Sequence, residues 1–225
     1  MNRNDIKTVG YVLRRTNYGE ADRILNLITP LGKISAVAKG VRREKSKLAG
    51  GIEMFSLSEF TIHQGKSELG VVTSAKMLKY YSNIIKDYNK IELAALILKK
   101  VSLAAEHSEN TEYYNIVDQC LAALDGSDDI RVIEVWFLIK LVVATGEEIN
   151  LYRDINGNKL QIDERYEWDK YESAFVPKEN GEYGANDIKM LRLMVTSDYK
   201  IVRRVRLDEE SLKKVYVFSK IVAKL

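Results

Sequence analysis

The spacing of the apolar residues changes near residue 80, and this change constrains the fold more than any other feature of the chain. From residue 8 to residue 76 the sequence reads as short β-rich runs between turn residues. Val9, Tyr11 and Leu13 alternate with Gly10, Val12 and Arg14, the pattern of a strand with two unlike faces. Residues 23–29 read RILNLIT, Pro30-Leu31-Gly32 is a turn, and residues 33–39 read KISAVAK. In that last run Ile34, Ala36 and Ala38 share one side, and Lys33, Ser35, Val37 and Lys39 the other. Two such runs about a turn with Pro and Gly predict a hairpin. A long loop over residues 40–55 then precedes a strand at 56–63, and a turn at 64–67 leads into a fifth run at 69–75. Five strands joined by tight turns and one long loop predict a small closed barrel, which leaves no sheet edge to protect.

From Tyr88 onward the period is helical. Ile91, Leu93, Ala94, Ala95, Leu96, Leu98, Val101, Leu103 and Ala104 form a broad apolar face. A second helix is predicted over 113–124 and a third over 130–145. The acidic run 125–129 supplies the start of the third, and Gly146 its end. The third is apolar on most sides, as expected of a central helix. Residues 147–185 carry turn chemistry and aromatic residues without helical period. Residues 186–196 and 208–225 read as closing helices, with Asp208 as a cap.

Composition removes several classes of function. Cys120 is the one cysteine among 225 residues, so neither an internal disulfide nor a cysteine-based zinc cage can form. No apolar run approaches the ~18–20 residues of a membrane span, and the first ten residues lack a signal-peptide core. A cytoplasmic protein with no membrane contact is expected. His63 and His107 fall in different predicted domains and in no metal-ligand spacing. No Walker loop, GxSxG or GxGxxG motif occurs, and Gly50-Gly51 reads as loop flexibility. Nothing supports an enzyme, and no cofactor is expected.

Charge is more informative. Residues 1–80 hold 14 Lys and Arg against 7 Asp and Glu, whereas residues 81–225 hold 21 against 25. A basic first third on a nearly neutral remainder suits a polyanion ligand, because cations gain by displacing counterions from phosphates. Lys33, Lys39, Arg42, Arg43, Lys45 and Lys47 lie within 15 residues that contain one acid, Glu44. Arg14 and Arg15 end the first strand, and Tyr18 just beyond offers a stacking face for an exposed base. These nine residues are the candidate DNA-binding set; the alternative is a solubilising loop with a core tyrosine. Lys200, Arg203, Arg204 and Arg206 form a second cluster that is either a solvated face or a second site.

Residues 13–57, LRRTNYGEADRILNLITPLGKISAVAKGVRREKSKLAGGIEMFSL, closely resemble the N-terminal domain of the bacterial recombination mediator RecO family. Tyr18, Gly19, Glu20, Asp22, Arg23, Ile24 and Leu25 match a YGExDRIL block. Thr29, Gly32, Lys33, Ala38, Lys39, Gly40, Arg42, Arg43 and Ser46 match the turn and the AKGxRRxxS block that follow. The resemblance implies a non-catalytic DNA repair protein that binds single- and double-stranded DNA and anneals complementary strands. It also implies help in exchanging single-stranded DNA-binding protein for RecA recombinase, together with a RecR-like protein. In the family a pocket for the acidic, apolar tail of the coating protein lies in the helical domain; no residue here matches a transferable motif for it.

One departure stands out. Relatives of this type carry a four-cysteine zinc motif after the central helix, whereas residues 145–177 here contain no cysteine. Zinc is therefore not expected, and Tyr152, Tyr166, Trp168, Tyr171 and Phe175 are expected to form an apolar cluster in its place. The resulting fold class is α+β: a five-stranded OB-type β-barrel over about residues 1–80, then a mainly α-helical domain over about 81–225 with a degenerate zinc-motif region at about 146–177. The expected function is that of a RecO-type DNA-annealing mediator; the alternative is a non-enzymatic protein-interaction adaptor.

Overall fold

The computed structural model describes residues 5–65, 69–108 and 110–224, arranged as two compact units, Met1–Gly126 and Ser127–Leu225. In the first unit, strands β1 (Asp5–Tyr18), β2 (Asp22–Thr29), β3 (Gly32–Ala38), β4 (Ser56–His63) and β5 (Gly70–Tyr80) form a closed barrel in the order β1-β2-β3-β5-β4. All neighbours pair antiparallel except β3 and β5, which run parallel. This is the five-stranded OB-type barrel that the sequence predicts. Lys66 and Ser67 of the predicted 64–67 turn, and Leu225 of the predicted last helix, lie outside the described residues.

The β2–β3 hairpin follows directly from its residues. Thr29 and Gly32 are the last pair of the ladder, and the Thr29 hydroxyl donates to the Gly32 carbonyl and accepts from Leu31 N–H. The alternation of KISAVAK is also realised. Ala36 and Ala38 belong to the barrel core with Val12, Leu25, Leu27, Phe60, Ile62 and Val72, and Ile34 packs against it.

Strand β1 departs from simple alternation. Its register shifts between Val12 and Arg14, so Leu13 is an extra residue, a bulge. Val12 pairs with Leu27 in the core, yet Arg14 pairs with Asn26, on the opposite face of β2 from Leu25 and Leu27. The bulge thus reverses the parity of the strand: Arg14 leaves the side of Val12 and joins that of Tyr11.

The long loop is anchored rather than loose. Val41 and Ile52 belong to the barrel core, and a single 3-10 turn, Ala49–Ile52, packs against β5. A Cβ on Gly51 would lie 2.3 Å from the Ala75 carbonyl oxygen. Gly51 is therefore a site of close backbone approach, not the flexible hinge that the Gly50-Gly51 pair suggests.

Helices α1 (Tyr88–Ala104) and α2 (Glu112–Asp125) belong to the same unit as the barrel. Asp87 caps α1 by accepting from Asn89 and Lys90 N–H. The Tyr11 hydroxyl meets Tyr81 at 2.9 Å and donates to Asp118 of α2 at 2.5 Å. Burial and the Asp118 hydrogen bond push the Tyr11 hydroxyl well above the usual phenol range, so it stays a proton donor.

In the second unit, α3 (Ile130–Ala144) buries residues on nearly every side, Ile133, Trp136, Phe137 and Leu138 among them. It packs against α4 (Ala185–Thr196) and α6 (Glu209–Val222); a single turn, α5 (Tyr199–Val202), lies between these two in sequence. Asp129 and Asp208 cap α3 and α6. Between α3 and α4 a short hairpin forms from β6 (Tyr166–Asp169) and β7 (Ala174–Pro177).

That hairpin carries a cluster of rings, but not the set expected. Trp168, Phe175, Tyr183 and Phe218 make ring contacts at 4.8–6.1 Å, and Tyr166 meets Phe175 at 6.0 Å. Tyr152 and Tyr171 lie outside it, at 56% and 85% exposure. Tyr152 is covered instead by the Arg192 guanidinium, 4.6 Å from its ring centroid. Asp154 holds the preceding loop by accepting from Asn156 and Asn158 N–H at 2.9 and 2.8 Å.

The residues present do not fit a zinc site. The segment has no thiol, the Asp154 carboxylate is already satisfied, and no group of three or more His, Cys, Asp or Glu among the described residues could hold a metal. Two outcomes are expected. Phe175→Ala lowers stability by ~3–5 kcal/mol in a urea melt, while Tyr171→Ala changes it by less than ~0.5 kcal/mol. A chelator leaves the melting temperature of the purified protein unmoved; a large drop would show a structural metal.

Candidate nucleic-acid interface

The bulge and the hairpin register together define the outer face of β1, β2 and β3. Cross-strand partners share a face, so the rows can be read off the pairing. Tyr11, Ile28 and Lys33 form one outward row. Arg14, Asn26 and Ser35 form the next, and Thr16, Ile24 and Val37 the one after. Tyr18 and Asp22 follow, beside the root of the long loop.

The first of these rows is covered. Tyr11 and Ile28 are fully buried, Tyr11 bonds to Asp118 of α2, and Lys33 Nζ donates to the Ser102 carbonyl near the end of α1 at 3.3 Å. Lys33 therefore sits at the far end of β3, roughly 20 Å along the strand from Lys39 at ~3.3 Å per residue. The structure does not bring it to the basic loop.

On the outer rows the β1 residues are open, while Val37 of β3 is buried. Arg14, Thr16 and Tyr18 are exposed, Tyr18 at 56%, while Asn26 Oδ1 accepts from the Ser35 hydroxyl at 3.1 Å. Lys39, Arg42, Arg43, Lys45 and Lys47 are all exposed, on the segment that leaves β3. Arg14 and these five cations form no ion pair among the described residues. Seven of the nine expected residues are thus exposed: Arg14, Tyr18, Lys39, Arg42, Arg43, Lys45 and Lys47.

Arg15 goes the other way. It pairs with Leu25, on the inner side of the barrel wall, and its Nη1 donates to Glu53 Oε2 at 3.2 Å and to the Ile52 carbonyl at 3.4 Å. It fastens the end of the long loop to β1 and presents little free charge.

Sequence reasoning missed Thr16, Ile24, Asn26 and Ser35 as members of this face. The signal was available for three of them. Ser35 shares the outer side of KISAVAK, and the short turn places Asn26 and Ile24 opposite that side. Thr16 was hidden by the bulge.

The second cluster is partly neutralised. Arg203 pairs with Asp128 at 2.8 Å and Lys200 with Asp198 at 3.5 Å, leaving Arg204 and Arg206 without an ion pair among the described residues. Arg206 and Lys189 line a cavity of about 420 Å³ together with Met190, Leu193 and Val205. Cys120 offers no reactive thiol, because complete burial pushes its ionisation far up. Among the described residues no helix is long and apolar enough to cross a membrane.

Comparison with known proteins agrees with this architecture. The family model "Recombination protein O N terminal" matches residues 1–81, and "Recombination protein O C terminal" matches residues 86–220. The chain is 29% identical over 222 residues to the DNA repair protein RecO of Dehalococcoides mccartyi strain CBDB1, covering 94% of this chain and 86% of that protein. It is 35% identical over 144 residues to the DNA repair protein RecO of Alkaliphilus metalliredigens, covering 63% and 58% of the two chains. With the barrel, the helical region and both family models spanning nearly the whole sequence, this chain belongs to the RecO family of DNA repair proteins.

Proposed function

We propose that this protein is a non-catalytic RecO-type mediator that binds single- and double-stranded DNA across the outer face of β1–β3 and the basic loop. One observation carries the reading: Arg14, Lys39, Arg42, Arg43, Lys45 and Lys47 are exposed and form no ion pair among the described residues, beside the exposed ring of Tyr18. Cations with no acid partner are free to replace condensed counterions on a phosphate backbone. A tyrosine ring beside them stacks on an unpaired base whatever its identity.

Annealing needs no bond chemistry. Neutralising the phosphates of two strands lowers their repulsion, and base pairing supplies the driving force. In this reading the protein acts in the cytoplasm with a RecR-like protein and single-stranded DNA-binding protein, and aids RecA recombinase indirectly. The adaptor alternative rests on a different surface, where Leu78, Tyr80, Ile85 and Tyr88 stand 40–76% exposed within eleven residues. DNA binding that is absent at low salt would favour the adaptor.

Two variants test the assignment. Replacing Lys39, Arg42 and Arg43 together with Ala is expected to weaken oligonucleotide binding and to flatten log affinity against log salt by about 0.7–0.9 for each phosphate no longer neutralised. The melting temperature should stay near that of the parent, because exposed charges contribute little to folding. Unchanged affinity and slope would move the site elsewhere. The second test separates neighbours. Arg14→Ala should weaken binding at unchanged stability, whereas Arg15→Ala should cost about 1 kcal/mol of stability by removing its hydrogen bonds to the loop.

A further inference from the structure

The two sequence blocks that mark this chain, YGEADR and AKGVRR, meet at the root of the basic loop. Asp22 Oδ1 accepts from Gly40 N–H at 2.6 Å. The Ala21 carbonyl accepts from Arg42 N–H at 2.8 Å, and the Gly19 carbonyl from Arg42 Nη1 at 3.4 Å. Gly40 has φ +62°, a left-handed conformation that turns the chain out of β3. From there Arg43 N–H bonds back to the Gly40 carbonyl and Ser46 N–H to the Arg43 carbonyl. The Arg43 stem lies over Gly40, 3.6 Å from where a Cβ would stand. The exit of the basic segment from β3 is therefore set by acceptors from the β1–β2 turn.

A carboxylate at that point is a paradox if the surface binds a polyanion. Asp22 repels phosphate and stands among the cations that would attract it. The Asp22–Gly40 hydrogen bond resolves this, since an ionised acceptor holds a backbone N–H more firmly than a neutral one. We propose that Asp22 is a positioning residue for nucleic-acid binding: it fixes the exit of the loop so that Arg42 and Arg43 face the phosphates, and this gain outweighs its own repulsion. The inference rests on the DNA-binding reading given above.

Its test uses the sign of the effect. Asp22→Ala and Asp22→Asn remove the same charge, but only the Asn amide oxygen can still accept from Gly40 N–H. Binding of a fluorescent oligo-dT is measured for both across a potassium chloride series, alongside thermal melting. Asp22→Ala is expected to bind about three- to tenfold more weakly than the parent, with a salt slope smaller by about 0.7, the value for one phosphate of a single strand. Asp22→Asn is expected to bind at least as tightly as the parent. Hydrogen exchange at the Gly40 amide should speed up most in the Ala variant and much less in the Asn variant, whose neutral oxygen still accepts from it. Asp22→Glu keeps the charge but displaces the acceptor, so it too should bind more weakly, and it serves if the Ala variant does not fold.

Equal binding by the Ala and Asn variants, or tighter binding by Asp22→Ala, would overturn the positioning role. If Arg42→Ala and Arg43→Ala leave binding unchanged, the DNA-binding reading itself is overturned, and the positioning role falls with it.

Discussion

Strand β1 must pair with two neighbours to close the barrel; it exchanges one for the other at Tyr11, and the bulge at Leu13 follows two residues later. Residues up to Tyr11 pair with β4, and residues from Tyr11 to Tyr18 pair with β2. A five-stranded sheet closes only if its strands coil sharply, and an extra residue supplies local bend and twist. The same extra residue decides what faces where. With unbroken alternation Arg14 would point into the apolar barrel and Arg15 outward. With the bulge, Arg14 joins the outer face and Arg15 reaches Glu53 and the Ile52 carbonyl.

The outer face is then divided by what packs on it. Tyr11 and Ile28 lie fully buried and Lys33 is bound to the end of α1, so this end of the sheet contributes to the core of the first unit. The Tyr11 hydroxyl donates to Asp118 and shares a hydrogen bond with the Tyr81 hydroxyl, which satisfies a phenol that would otherwise be buried without partners. Beyond that row the β1 side of the face is exposed, and the face ends in the basic segment. The face is thus divided, with apolar and hydrogen-bonded contacts at one end and, past the end of β3, exposed cations at the other.

Much of this arrangement is legible in the sequence, because period-2 alternation and turn chemistry are local. KISAVAK announces its two faces, and Thr29, Pro30 and Gly32 announce the hairpin. The sequence reading does not pick out Asp87, the cap of α1, but the cap Asp208 and the acidic run that ends at Asp129 are equally readable. The bulge is not, since Tyr11, Val12 and Leu13 are three apolar residues in a row with no glycine to mark the break. Lys33 shows the limit of facial patterning: alternation says which side a residue takes, but not that a helix end covers that position. The ring cluster fails for a similar reason. Tyr166, Trp168, Phe175 and Tyr183 are close in sequence, whereas Phe218 arrives from α6, and Tyr152 and Tyr171 of the expected set stay outside the cluster.

If nucleic acid lies on the open end of the β1–β3 face, a titration of isotopically labelled protein with a short single-stranded oligonucleotide reveals it directly by amide chemical shifts. The largest shifts are expected at Arg14, Thr16, Tyr18, Asn26 and residues 39–47, with Lys33 and the row around Ile28 unmoved. Shifts centred on residues 200–206, or on Leu78, Tyr80, Ile85 and Tyr88, would contradict it.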